Sequence, residues 1–253
     1  MLKLGISGCN GAMGRVLTNI TSEMEDIKIV FGIDRTPDLY QNKYPVYETP
    51  SKVKEECDVI IDFSNPSGLY ELLTFCIDTN TGIVVATTGL SEKQEIRIRE
   101  VSKKVPVFKS SNTSFGINLV LDLVKKSASM LSEAFDIEII EKHHSKKTDA
   151  PSGTAYMLAQ AINEEMNYSM QYNYGREGKN SKRNKNEIGI HAIRGGSIAG
   201  EHTVIFAGID EIIEIKHTAL SKGIFARGAI KAAKYISDKP ANLYSMKNLT
   251  DKN

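Results

Sequence analysis

The alternation of short apolar runs with helix-spaced stretches between residues 2 and 109 limits most strongly what this chain can fold into. Segments 2–7, 27–33, 59–63, 83–87 and 105–109 are strand-length and rich in Ile and Val. Between them, residues 13–24 read as a helix, and Ser91 caps another whose first turn carries Glu92 and Glu95. Strand–helix–strand repetition implies a parallel sheet covered by helices.

Past residue 114 the pattern changes. Ile117, Val120, Leu121, Val124, Ala128 and Leu131 form one helical stripe. Ile137 and Ile139 then alternate as in a strand, and Ala155, Leu158, Ala159, Ile162 and Met166 return to helical spacing. Segments 188–193, 203–206 and 211–216 are strands without crossover helices, so a separate mixed or antiparallel sheet is expected. Residues 168–187 read as a long polar loop in which Arg176, Lys179, Lys182, Arg183 and Lys185 are solvated. A closing helix over 223–236 packs most naturally back on the first sheet. The fold class is α/β: a parallel sheet of the Rossmann type at 1–114 and 219–253, and an α+β domain with an open mixed sheet at 115–218.

At 253 residues the chain is long enough for a substantial core in one or two domains. A net charge of +1 gives no field that points to nucleic acid or a membrane surface, and no apolar run is long enough to span a bilayer. The three cysteines, Cys9, Cys57 and Cys76, are odd in number and lack metal-type spacing; with no signal peptide at the start, a reducing cytoplasmic setting is expected and no metal.

Gly8-Cys9-Asn10-Gly11-Ala12-Met13-Gly14 follows the first strand and opens a helix. Glycines there let the backbone approach a pyrophosphate resting on the helix N-terminus, although Asn10 stands where the commoner spacing has glycine. Asp34, about twenty residues on, suits a ribose 2′-OH, and Arg35 suits a 2′-phosphate, so NADH and NADPH are both expected. Asp62-Phe63-Ser64-Asn65-Pro66, Ala86-Thr87-Thr88-Gly89 and Ser110-Ser111-Asn112-Thr113 end strands of the same sheet, where ligands of open parallel sheets bind.

The densest chemistry lies in residues 143–154, His-His-Ser-Lys-Lys-Thr-Asp-Ala-Pro-Ser-Gly-Thr. His143 and His144 end a strand, and Ser152-Gly153-Thr154 open a helix whose N–H groups and dipole favour an anion. Histidine exchanges a proton near neutral pH, and Lys147 can hold an anion or tune that imidazole. The combination reads as a site that binds a small anionic substrate and protonates it.

Together these residues resemble the 4-hydroxy-tetrahydrodipicolinate (dihydrodipicolinate) reductase family over nearly the whole length. The likeness runs through Gly8 to Gly14, Asp34-Arg35, Asp62-Phe63-Ser64, Thr87-Thr88-Gly89, Asn112 to Asn118, the block His143 to Thr154, Arg194-Gly195-Gly196, Gly200-Glu201-His202 and Phe225-Ala226-Arg227-Gly228-Ala229. The resemblance implies hydride transfer from NADH or NADPH to a small dicarboxylate in the diaminopimelate route to lysine, by a homotetramer. It implies His143 as proton donor, Lys147 as the catalytic lysine, and His144, Ser152, Gly153 and Thr154 as substrate ligands. It implies cofactor contacts from Gly8 to Met13, Asp34, Arg35, Ala86, Thr87, Thr88 and Ser110 to Thr113. The competing readings are another two-domain amino-acid-pathway dehydrogenase, which has no need of His-His-x-x-Lys before Ser-Gly-Thr, and a non-catalytic nicotinamide-binding protein.

Overall fold

A computed structural model of the chain describes residues 1–131 and 134–250. The last three positions of the 219–253 segment lie outside the described residues. The chain divides into two units, one of Met1–Phe115 with Lys222–Asn253, the other of Gly116–Ser221.

The first unit begins with β1 (Leu2–Ser7), α1 (Ala12–Thr21), β2 (Ile27–Ile33), β3 (Val46–Tyr47), β4 (Val59–Asp62) and α2 (Leu69–Asp78). It continues with β5 (Gly82–Val85), α3 (Glu92–Val101) and β6 (Val107–Lys109). Beyond the second unit lie α6 (Gly223–Ile236), β12 (Leu243–Tyr244) and α7 (Met246–Thr250). All seven strands pair in parallel, in the order β12-β6-β5-β4-β1-β2-β3. Because the strands are apolar on both sides, the sheet needs cover on both faces. Leu4, Ile6, Ile61, Val84 and Phe108 pack with Leu17 of α1 and Ala229, Ile230, Ala233 and Ile236 of α6. Phe31, Ile60, Ile83 and Val85 pack with Leu69, Leu72 and Leu73 of α2 and Ile98 of α3.

Chain order reverses at β1, with β2 on one side and β4 on the other, and this opens a crevice beyond the carboxyl ends of those strands. Two glycines allow the close approach there. Gly8 has φ +78°, and a Cβ on it would sit 2.7 Å from the Phe63 carbonyl oxygen. A Cβ on Gly14 would lie 2.2 Å from the Gly8 oxygen, so only glycine lets α1 dock against the loop that precedes it.

The second unit contains α4 (Phe115–Leu131, its first residue belonging to the first unit), β7 (Asp136–His143), α5 (Gly153–Glu165), β8 (Gln171–Asn173), β9 (Glu187–Arg194), β10 (Gly200–Ala207) and β11 (Ile212–Ala219). Its sheet runs β11-β10-β7-β9-β8. β10 is antiparallel to β7 and β11, while β9 is parallel to β7 and β8, so the sheet is mixed. One face buries Ile137, Ile139, Ile188, Ile190, Val204 and Phe206 against Val120, Val124 and Ala128 of α4 and Leu158, Ala159 and Ile162 of α5. On the other face Ile193 and Ile212 are exposed.

The α/β class with a Rossmann-type sheet and a second mixed sheet is what the sequence pattern predicts. Differences lie where tertiary pairing outweighs local pattern. The two-residue strands β3 and β12 carry no periodicity and exist by pairing with β2 and β6. β11 runs from Ile212 to Ala219 rather than over 211–216, because Ala219 pairs with Gly200 and Thr218 with Glu201. The segment read as a solvated loop contains β8 and is pinned to the sheet. Arg176 donates to both oxygens of Glu138, at 3.1 and 2.8 Å, and to Glu187. Arg183 reaches Asp136 at 2.7 Å and Glu138 at 3.2 Å. These arginines are ion-pair anchors, a role that needs strand partners invisible to a local reading.

Candidate active site

Within the first unit a groove of about 650 Å³ is lined by Gly8, Gly11, Asp34, Arg35, Phe63, Ser64 and Asn65, among others. Helix geometry leaves the N–H groups of Ala12 and Met13, at the start of α1, without acceptors inside the helix, where a pyrophosphate can take them. Other loop groups are already engaged. Gly8 N–H donates to the Ile33 carbonyl at 2.8 Å and Gly11 N–H to the Gly8 carbonyl at 3.1 Å. The Cys9 side chain is fully buried against Gly32, and burial pushes its thiol up to about 12. It fills core space. Asn10 is buried too; its amide donates to the Thr36 carbonyl at 2.7 Å and accepts from Asn42 at 3.0 Å. The residue that replaces the expected glycine therefore clamps the loop to the segment after β2.

Asp34 lines the groove and also holds it together, accepting from Asn10 N–H at 2.9 Å and from the Thr36 N–H and hydroxyl at 3.1 and 3.0 Å. Arg35 crosses the groove to donate to the Ser67 hydroxyl. The ends of β4 and β5 are tied by Asp62, which is fully buried and accepts from the Ser64 hydroxyl at 2.5 Å and the Thr87 hydroxyl at 2.7 Å. Thr87 is thus a latch. Ala86 beside it is buried and Thr88 is exposed. Ser110 donates to the Asn112 carbonyl at 2.7 Å, and Thr113 donates to the Phe225 carbonyl at 2.7 Å, pinning α6. Ser111 in the same loop is exposed.

In the second unit the block 143–154 folds around a carboxylate. Glu141 lies two residues before His143 on β7, so both side chains project from the same face. Glu141 is fully buried, with one oxygen 2.6 Å from His143 Nδ1. Arg194, opposite His143 on β9, donates to both Glu141 oxygens at 2.8 Å. Burial would raise the Glu141 carboxyl; hydrogen bonds from Arg194, His143 and the Ser152 N–H outweigh it and hold the group below its usual range.

Ser152 caps α5, its Oγ accepting from Ala155 N–H at 3.2 Å, while its own N–H donates to Glu141 at 2.9 Å. Its hydroxyl also meets His202 Nε2 at 2.9 Å. Ser152 is buried with both its groups engaged, so it shapes the helix start; Gly153 beside it is exposed and Thr154 half-buried. His202, opposite Glu141 on β10, lies edge-on to His143 at 5.2 Å between ring centroids. Burial, reinforced by His143, pushes its imidazole down to about 4. Lys147 is mostly buried and pairs with Asp149 at 2.7 and 2.8 Å. His144 is half-buried. Glu141, Arg194 and His202 were given no role by the sequence reading. Strand alternation marks Glu141 as sharing the His143 face, but only sheet register brings the other two to it.

The fold and the dinucleotide groove define an oxidoreductase that works with a pyridine dinucleotide. Residues 2–113 match the family described as dihydrodipicolinate reductase, N-terminus, and residues 116–250 the one described as dihydrodipicolinate reductase, C-terminus. The chain belongs to the dihydrodipicolinate reductase family. It is 49% identical to a 4-hydroxy-tetrahydrodipicolinate reductase of Clostridium tetani (strain Massachusetts / E88), covering 97% of this chain and 96% of that one. It is 47% identical to the enzyme of the same name from Caldanaerobacter subterraneus subsp. tengcongensis, across 100% of this chain and 99% of the other. Among solved structures, a dipicolinate-bound dihydrodipicolinate reductase from Paenisporosarcina sp. TG-14 shares the fold at a TM-score of 0.80 and 23% identity, covering 98% and 99% of the two chains. An aspartate dehydrogenase from Thermotoga maritima shares it more distantly, at 0.51 and 12%.

Proposed function

We propose that this chain reduces 4-hydroxy-tetrahydrodipicolinate to tetrahydrodipicolinate with NADH or NADPH, in the diaminopimelate route to lysine. One observation carries the chemistry: an imidazole hydrogen-bonded to a buried carboxylate beside a helix start and a lysine, in a chain similar over its whole length to reductases of that name.

The residues present fit the cofactor, since glycine backbone, the α1 N-terminus, Asp34 and Arg35 share one groove. When bound, the dinucleotide supplies the hydride. The Ala12 and Met13 N–H groups would receive its pyrophosphate, Asp34 the ribose hydroxyls and Arg35 a 2′-phosphate. The loops bearing Thr88 and Ser111, held by Thr87 and Thr113, would hold the nicotinamide half. In the second unit Gly153, Thr154, His144 and Lys147 hold the substrate carboxylates; Ser152 supports them from behind. Hydride addition to the conjugated ring leaves negative charge on it, and His143 delivers the proton from Nε2, since Nδ1 faces Glu141.

The working form is a homotetramer built through the open face of the second sheet, where Ile193 and Ile212 are 46% and 65% exposed. The setting is cytoplasmic, supported by three cysteines that stay free. Among the described residues no helix is long and apolar enough to cross a membrane.

The test is spectrophotometric. Purified protein should oxidise NADH when 4-hydroxy-tetrahydrodipicolinate is supplied, and pyridine-2,6-dicarboxylate should inhibit competitively with it. Absence of turnover with both coenzymes would defeat the reading.

A further inference from the structure

We infer that Glu141, locked by Arg194, is the positioning residue that dictates which nitrogen of His143 carries the exchangeable proton and keeps that imidazole in register with the substrate-binding helix start. The inference rests on the functional reading above for its catalytic consequence, but its structural core does not.

Glu141 receives four donors. One oxygen takes Arg194 Nη2 and the Ser152 N–H, at 2.8 and 2.9 Å; the other takes Arg194 Nη1 and lies 2.6 Å from His143 Nδ1. A guanidinium and a backbone N–H can only donate, and they hold this buried carboxyl ionised. An ionised carboxylate can only accept. His143 Nδ1 is therefore protonated whatever the charge of the ring, and the proton that comes and goes sits on Nε2. The Nε2 side faces Gly200: a Cβ there would lie 3.1 Å from that nitrogen, so glycine keeps the approach open. The same carboxylate holds the N–H of Ser152, the cap of α5. One buried group thus orients the proton donor and the helix start that would hold the substrate.

Glu141→Gln is the informative substitution. Its amide replaces one acceptor oxygen by a donor, which must point either at Arg194 and the Ser152 N–H or at Arg194 and His143 Nδ1. The imidazole is the only partner able to change from donor to acceptor, and doing so moves its proton to Nε2 in the neutral ring.

The experiment joins ¹⁵N NMR of the five histidines to kinetics. In the wild type, neutral His143 should be the Nδ1–H tautomer, and in Glu141→Gln that tautomer should be lost. The kcat should fall on the order of a hundredfold, as when general acid catalysis is disabled, with the substrate KM changed only a few-fold. If the single variant does not fold, Glu141→Gln with Arg194→Gln removes charge and counter-charge together and should give the same tautomer change. A wild-type Nε2–H tautomer, or a folded variant with unchanged kcat, would overturn the inference. His143→Gln, run in parallel, separates the two claims: full turnover in that variant would remove His143 as proton donor, while the tautomer still decides the role of Glu141.

Discussion

Lys147 keeps its ammonium on Asp149, a neighbour two residues along the same turn and mostly in solvent. Such a pair is weak and exchangeable, so the cation can pass to an incoming carboxylate. Lys147→Met preserves much of the apolar stem and removes the charge. It should raise the substrate KM and lower kcat, on the order of a hundredfold together in kcat/KM, the loss of a charge-assisted hydrogen bond within a low-dielectric site. NADH affinity, measured by fluorescence titration, should stay within about twofold, since dinucleotide recognition lies in other residues; loss of NADH binding with turnover intact would reverse the division of labour. His202 yields a prediction of another kind. In the folded chain its imidazole is pushed from 6.5 to about 4, mainly by burial. Between those values the unfolded chain takes up a proton that the folded chain refuses, so this residue's contribution to stability is constant above pH 6.5 and declines as pH falls to about 4. The full decline is about 3 kcal/mol. Melting curves of wild type and His202→Gln from pH 7.5 to 4 should show a shallower acid slope in the variant; parallel slopes would mean His202 does not refuse the proton. At this scale the closeness of His143 to the α5 start is legible, because the stretch between them is short and both meet Glu141. Glu141 was within reach of strand alternation, whereas Arg194 and His202 come from strands about fifty and sixty residues on.

Among elements, the glycine loop and its helix show how a motif's spacing can be read correctly while its side chains take other tasks. Asn10, the departure from the commoner motif, faces inward and ties the loop to Thr36, and Asp34 accepts from Asn10 and Thr36. Removing Asp34 therefore loosens the groove itself. Asp34→Ala should weaken NADH and NADPH alike, on the order of tenfold or more, in contrast to the simple exchange of preference that the adjacent Asp-Arg pair suggests. Arg35→Ala removes a cation that donates to the exposed Ser67 hydroxyl, and should weaken NADPH by about tenfold while sparing NADH. Paired titrations with both coenzymes check this; equal losses in Arg35→Ala would make Arg35 purely structural. Ser152 follows the same logic: its hydroxyl caps α5 and its N–H is held by Glu141.

For the whole molecule, each unit closes its own core, and the second leaves one face of its sheet uncovered. That face is not merely greasy. Arg176 and Arg183 staple the segment after α5 across it through Glu138, Glu187 and Asp136, so its shape is held while Ile193 and Ile212 stand out. Light scattering coupled to size exclusion should report a tetramer for the wild type. Ile193→Lys combined with Ile212→Lys should shift it to smaller species with the helical content unchanged, because both side chains are already solvent-facing within one chain. A tetramer that survives both substitutions would place the interface elsewhere.

The strands β1, β2, β4, β5 and β6 with helices α1, α3 and α6 in the first unit, the position of the glycine loop at a strand end, and the closeness of His143 to the α5 start were legible in the sequence, because each depends on residues close along the chain: the period of burial, the reach of a turn, the orphan N–H groups of a helix start. Tertiary structure decided which of those groups turn into the fold. Cys9, Asn10, Thr87, Thr113 and Ser152 turn inward, Arg176 and Arg183 become anchors, and Glu141 gathers Arg194, His143 and Ser152 onto one carboxylate. The reason is physical: a buried polar group must find its partners wherever register and packing bring them. Those partners sit on strands whose adjacency no local pattern records.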